Sequence, residues 1–329
     1  MFYLAGQEAY VKKPALTLAI LLMLVALVLL LSVRYGSETL SFADLHRALQ
    51  PADSHYFALV EYRLPRILLA LLVGAALALS GVLVQGVIGN PLASPEILGV
   101  NHAAGLMSIG ALMLFPGLSV MWLPLLAFIG ALLAFALLRL AAGNSAPLRL
   151  ALLGIALTAL YASITDYLML SHPLEINQAL MWLTGSLWGR GWAFVYVALP
   201  WLLLLPLSLL LCRPLDLLAL GEEQATTLGI NMRHAQQLIL LLALALAAIS
   251  VALCDPLSFI GLLAPHLTRR LVGGRHHWLI PGAMLIGALL LLLADLLART
   301  LHPSLELPAG VLTAIIGAPY FFWLLMRTR

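Results

Sequence analysis

The chain has 329 residues, 63% of them hydrophobic and only 9% charged, with a mean hydropathy of +1.05 and a formal net charge of +3. Soluble domains carry roughly 45–50% apolar and about 25% charged residues, so this composition excludes a disordered chain, a disulfide scaffold and an ordinary cytosolic enzyme. Lys12, Lys13 and the arginines fall between apolar blocks and never form a basic run, which argues against nucleic acid and for a lipid bilayer as partner.

A span needs about 20 mostly apolar residues to cross roughly 30 Å of hydrocarbon. Such blocks lie near 14–33, 65–84, 96–115, 120–138, 150–170, 193–211, 236–254, 257–273, 279–298 and 308–326. They are continuous, without the alternation of a barrel strand, so the expected fold is all-α: a polytopic protein of about ten transmembrane helices, one transmembrane unit over 1–329. No small-residue cleavage site follows the first block, so it reads as a span and not as a removable signal. With the N-terminus inside, eleven lysines and arginines fall on the cytoplasmic side and six outside, the bias expected when both termini are cytoplasmic.

After the first block, residues 36–62 form an outer segment in which Ser41 and Asp44 suggest a capped helix start. The second block opens on Arg63-Leu-Pro-Arg66, with Pro65 placed in a first helical turn, where N–H groups are spare. Ala70, Gly74, Ala78 and Gly81 then give a small-residue face suited to close helix packing or to a pathway lining, with Gln85 as a polar group at its end. The run 90–95, Asn-Pro-Leu-Ala-Ser-Pro, breaks the chain before Asn101 and His102. Interrupted helices with polar groups at depth are typical of transporters, so Gln85, Asn90, Asn101 and His102 are the pathway candidates.

Residues 171–192 form a second outer segment, in which Trp182, Trp188 and Trp192 read as interfacial aromatics. The inner segment 213–235 contains Leu220-Gly-Glu-Glu223 and continues to Gly229. Glu222 and Glu223 fit the first turn of a short helix that Gly229 ends, either a docking knob for another protein or a link between spans. Cys212 and Cys254 fall on opposite sides of the membrane and read as packing residues. His276 and His277 read as part of a solvated basic turn. Asp295 and Arg299 are four apart and can pair on one helix face. Arg63, Arg66 and Arg299 then fit either intrachain pairing or an outer cationic rim for a carboxylate-bearing partner.

Several chemistries lack their signatures. The chain has no G-x-x-x-x-G-K-[ST] phosphate loop, no H-E-x-x-H, no zinc-spaced Cys/His cluster and no G-x-S-x-G elbow, so no catalytic residue, metal or cofactor is expected.

The stretches RLPR (63–66), VGAALALSGVLVQG (73–86), NPLASPEILGV (90–100), ALGEEQATTLGI (219–230), FIGLLAPHLTRRLVG (259–273), LLADLLAR (292–299) and ELPAGVLTAIIGAP (306–319) resemble the FecCD/BtuC family, the permeases of ABC importers for ferric chelates and vitamin B12. The segments TDYLMLSHP (165–173) and MWLTGSLWGR (181–190) look closest to ferric dicitrate members. The resemblance covers nearly the whole chain. It implies a BtuC-like type II importer permease in a bacterial inner membrane, paired with a homologous FecC-like subunit, two cytoplasmic ABC ATPases and a periplasmic substrate-binding protein. It implies docking of that binding protein at Arg63, Arg66 and Arg299, and an ATPase-coupling loop at Leu220, Gly221, Glu222, Glu223, Ala225, Leu228 and Gly229. It also implies a cytoplasmic gate near 143–148, where Asn144, Ser145, Ala146 and Pro147 depart from the polar gate residues of the vitamin B12 relative. The expected function is ATP-driven import of iron(III) dicitrate by alternating access. The alternatives are another ferric siderophore, haem or cobalamin as cargo, or an ion-coupled secondary transporter. The latter needs titratable groups near mid-membrane, whereas Asp166 and Asp295 lie towards the outer ends of their spans.

Overall fold

The computed structural model describes residues 13–327 except 37, 116, 143–146, 175, 222–223, 225–226, 228–230 and 302–306. Every apolar block becomes a helix. The helices are α1 (Pro14–Arg34), the short α2 (Phe42–Arg47), α3 (Phe57–Ile88), α4 (Val100–Leu114), α5 (Leu123–Ala142), α6 (Pro147–Ser171), α7 (Ile176–Leu183) and α8 (Trp192–Leu202). After short turns over 203–211 come α9 (Cys212–Leu218), α10 (Met232–Cys254), α11 (Ile260–Val272), α12 (His276–Thr300) and α13 (Ala309–Arg327). Among the described residues there is no strand. Among the described residues seven helical segments are long and apolar enough to cross a membrane, one of them the Trp192–Leu218 stretch that runs through α8 and α9, and α4 and the Ala309–Trp323 part of α13 are shorter apolar helices.

The core is built around α3. It is apolar on all sides and almost completely enclosed from Pro65 to Val87, as expected of a helix surrounded by other helices. Its most extensive neighbours are α12 and α10, with α11 also against it. In lipid, hydrophobicity does not distinguish a helix neighbour from a lipid tail, so association depends on close van der Waals contact. The small-residue face provides it. A Cβ at Gly74 would lie 2.4 Å from the Gly287 carbonyl oxygen, and one at Gly287 would lie 2.2 Å from that of Gly74, so α3 and α12 touch backbone to backbone. Lower on the same face, a Cβ at Gly81 would lie 1.8 Å from the Gly261 oxygen of α11. The structure therefore uses this face for packing.

One expectation is extended and one corrected here. Pro65 stands in the first turn of the α-helical part Leu64–Ile88, as expected, but that part continues an earlier helical segment. The chain is already helical from Phe57, and residues Phe57–Arg63 form a π-helix whose last bond runs from the Leu64 N–H to the Leu59 carbonyl. A proline inside a helix removes a donor and crowds the carbonyl four residues back, and the wider π turns before it absorb both effects. Trp182 is not interfacial: it is buried in the main core, while Trp192 donates its indole N–H to the Val60 carbonyl at 3.0 Å. The cap on α2 is as expected. Ser41 and Asp44 form a reciprocal capping box on α2, and hydrogen bonds from Ser41 hold the Asp44 carboxyl below its ordinary range.

Irregular backbone also enters the core. Residues 93–98 lead back between helices, with Ala93, Ser94, Pro95 and Leu98 buried, and α4 starts only at Val100. Segment 255–259 does the same before α11, with Asp255 and Phe259 at φ 59° and 70°. Each finds its polar partner inside the protein, the condition for non-helical backbone at membrane depth. The Glu96 carboxylate accepts the Phe259 N–H at 3.1 Å, and Arg190 pairs with Asp255 at 2.6 Å.

Gly81→Ala forces α3 and α11 apart and is expected to cost about 1–3 kcal/mol, the usual range for overpacking. Thermal unfolding of the purified protein in detergent tests this, with Gly191→Ala, whose surroundings are open, as the unaffected control.

Candidate functional site

The α3–α11–α12 core carries a polar station at each end. At the end where α1 finishes and α12 closes, the three singled-out arginines are brought together, inside the protein. Arg63, Arg66 and Arg299 are 2%, 1% and 2% exposed, so no exposed cationic rim forms at these positions. The reason is local pairing. Asp295, fully buried, takes Arg66 Nε on one carboxylate oxygen at 2.5 Å and Arg299 Nε on the other at 3.1 Å. Arg66 also donates to the Tyr62 hydroxyl at 2.8 Å. Arg63 donates to the carbonyls of Val33, Arg34 and Glu38, capping the end of α1 from α3. The i,i+4 pairing of Asp295 with Arg299 is as read from the sequence; the Arg66 partner, 229 residues away, is not readable there.

At the opposite end, Gln85 is 2% exposed and accepts a hydrogen bond from Arg269 Nη1 at 2.7 Å, tying α3 to α11. The structure thus gives this pathway candidate an intrachain partner. Beside it, Asp216 of α9 accepts the His276 backbone N–H at 3.0 Å and pairs with its ring Nδ1 at 2.6 Å. His276 is buried, which corrects the reading of a solvated turn.

The other pathway candidates separate. Asn90 is exposed, its side chain bonded to the Leu92 N–H in a tight turn. Asn101 and His102 are adjacent on the first turn of α4. Asn101 is buried, and its side-chain oxygen has no hydrogen-bond partner among the described residues, whereas His102 faces outward. In the segment 219–230, Leu220 is exposed and Gly221 turns the chain at φ 105°. Glu222, Glu223, Ala225, Leu228 and Gly229 lie outside the described residues, as do the gate candidates Asn144, Ser145 and Ala146, while Pro147 starts α6. Cys212 and Cys254 are both buried and free.

Sequence reasoning missed Asp216, Arg269 and Glu96 and misread His276. The only available signals were an ionisable residue beside an apolar run in each case. Nothing in their spacing names a partner.

Comparison with known proteins gives a consistent picture. A model of the FecCD transport family matches residues 22–327. The chain is 59% identical over 301 residues, 91% of its length and 95% of the relative's, to the Fe(3+) dicitrate transport system permease protein FecD of Escherichia coli (strain K12). It is 44% identical to the Fe(3+)-citrate import system permease protein YfmE of Bacillus subtilis (strain 168), covering 95% of this chain and 96% of that one. A solved structure described as an inward-facing conformation of a metal-chelate type ABC transporter superposes with a TM-score of 0.85 at 34% identity, covering 94% of this chain and 98% of that chain.

Breaking a buried ion pair by removing one partner leaves an uncompensated charge in a low-dielectric interior. Asp295→Ala is expected to destabilise the protein by about 3–5 kcal/mol, and the triple change Arg66→Met, Asp295→Leu, Arg299→Met is expected to be milder. Melting temperatures in one detergent, side by side, check the order.

Proposed function

The chain belongs to the FecCD transport family, and from that premise we propose that it is the permease subunit of a bacterial inner-membrane ABC importer whose cargo is iron(III) dicitrate. The observation that carries the cargo is the 59% identity, over nearly full length, to a permease named for that chelate. The absence of a phosphate loop supports the division of labour: ATP is bound and hydrolysed on two partner ATPases, and this subunit performs no covalent chemistry. The whole chain acts as one permease domain, paired with a homologous FecC-like subunit to enclose the pathway. Both termini lie in the cytoplasm, as the distribution of basic residues favours.

In this proposal the Arg66–Asp295–Arg299 end faces the periplasm and the Asp216–His276 end the cytoplasm. The binding protein docks over the former. Arg63, Arg66 and Arg299 serve docking from within, by fixing the outer ends of α1, α3 and α12 that make the surface. The loop 219–230, with Leu220, Gly221, Glu222, Glu223, Ala225, Leu228 and Gly229, receives the ATPases. Asn144, Ser145, Ala146 and Pro147 belong to the cytoplasmic gate. Asn101 and His102, at the start of a helix that begins inside the core, line the pathway with Asn90 at its inner mouth. Gln85, held by Arg269, borders it. Alternating access follows from two packed bodies, α3–α11–α12 and α4–α5–α6, rocking against one another as the ATPases close and open.

Uptake of labelled ferric citrate, in cells lacking only this chain and in the same cells complemented, tests the cargo. Loss restored by complementation is the expected result. Retained citrate uptake with lost uptake of a hydroxamate siderophore, haem or cobalamin would move the cargo, and uptake that survives ATP depletion but collapses with an uncoupler would overturn the importer class.

A further inference from the structure

Both ends of α12 are held by side chains from elsewhere in the chain, and at one end the holder is the segment that leads directly into the loop 219–230. The first residue of α12, His276, has behind it an Arg275 whose side chain makes no cap bond. Asp216 supplies that cap from α9, taking the His276 N–H and the ring Nδ1 on one carboxylate oxygen. A carboxylate at this position also faces the positive end of the α12 dipole. One residue earlier, Leu215 is fully buried against α3 in the space left by Gly86, where a Cβ would lie 2.6 Å from the leucine Cδ2. The seven-residue α9 is thus anchored to α3 by Leu215 and to α12 by Asp216. Gly221, with its left-handed backbone, turns the chain away five residues beyond Asp216.

What α9 is anchored to is closely packed. α3 and α12 meet backbone to backbone at Gly74 and Gly287 and are locked at the far end by Arg66 and Asp295. With 25 residues, α12 extends roughly 37 Å, the depth of a bilayer core and more. A displacement of the loop therefore reaches the opposite face through two anchored residues and one rigid pair of helices.

We propose that Asp216 is the positioning residue that couples the loop 219–230 to the α3–α12 pair, and that this latch stays closed throughout the transport cycle. The inference rests on the reading of that loop as the ATPase contact. Asp216 touches no cargo; it acts by making α9 and α12 move together.

The test uses the complete importer, with its partner permease, ATPases and binding protein, in proteoliposomes. Asp216→Ala is expected to keep basal ATP hydrolysis and complex assembly but to lose about tenfold in chelate moved per ATP, the scale of an ordinary coupling interaction between sites. Asp216→Asn, which retains an acceptor for the His276 N–H, is expected to recover most of it. The decisive variant pairs Asp216→Cys with His276→Cys in a Cys212→Ser, Cys254→Ser background. Reduced, it is expected to be uncoupled; oxidised to the disulfide, it is expected to regain coupling, because the covalent bond replaces the latch. Wild-type coupling in Asp216→Ala, equal transport by the reduced and oxidised protein, or a block on oxidation would each overturn the proposal. A wild-type complex in which ATP hydrolysis and uptake are not linked at all would instead remove the functional reading on which it rests.

Discussion

A single carboxylate organises the end of this molecule that binds α1, α3 and α12 together. Asp295 lies in a region from which water is excluded, and neither it nor the guanidinium groups of Arg66 and Arg299 would be tolerable there alone. Satisfying them jointly fixes the relative position of α3 and α12 along their axes. That register is what brings Gly74 opposite Gly287, and the glycine contact in turn lets two long helices approach closely enough to behave as one body. Arg63 extends the arrangement to α1 by taking up three carbonyls near its end. The buried charges thus act as a positional lock; close packing supplies the cohesion.

The rest of the architecture reads as a response to the same rule, that polar groups inside a membrane protein must be satisfied by the protein. The two irregular segments at depth do not float: Glu96 bonds to the backbone of Phe259, and Arg190 neutralises Asp255. Such built-in breaks give a transporter places where helices can begin inside the packed core, and α4, starting at Val100 after the buried segment 93–98, is one. The packing is accordingly uneven. The α3–α11–α12 unit is dense and glycine-rich at its contacts, while α6 exposes much of its length, an unevenness suited to a subunit in which one body moves past another.

How much of this could be read from the sequence depends on the range of the interaction concerned. The ten blocks, the Ser41–Asp44 cap and the Asp295–Arg299 pair are set by residues a few positions apart, and all three appear in the structure. The small-residue face of α3 was legible as a face, but its partners Gly287 and Gly261 were not, since nothing in a run of alanines and glycines says which helix will meet it. Arg66 with Asp295, Gln85 with Arg269 and Asp216 with His276 join residues 229, 184 and 60 positions apart, and with these partners Arg66 and His276 lie in the interior. Pro65 does stand in the first turn of an α-helix, as the local rule says, but the π turns that run into it from Phe57 are not revealed by composition.

On this reading α3 and α12 move as one element that links the two ends of the subunit. Distances between spin labels in the assembled importer test it most directly. Labels at Phe57 and Leu301, exposed positions at the same end of α3 and α12, should give one distance distribution with and without ATP. Labels at Leu301 and Leu170, the latter exposed near the end of α6, should give a distribution that shifts when ATP binds. A shift between Phe57 and Leu301, or none between Leu301 and Leu170, would contradict the account.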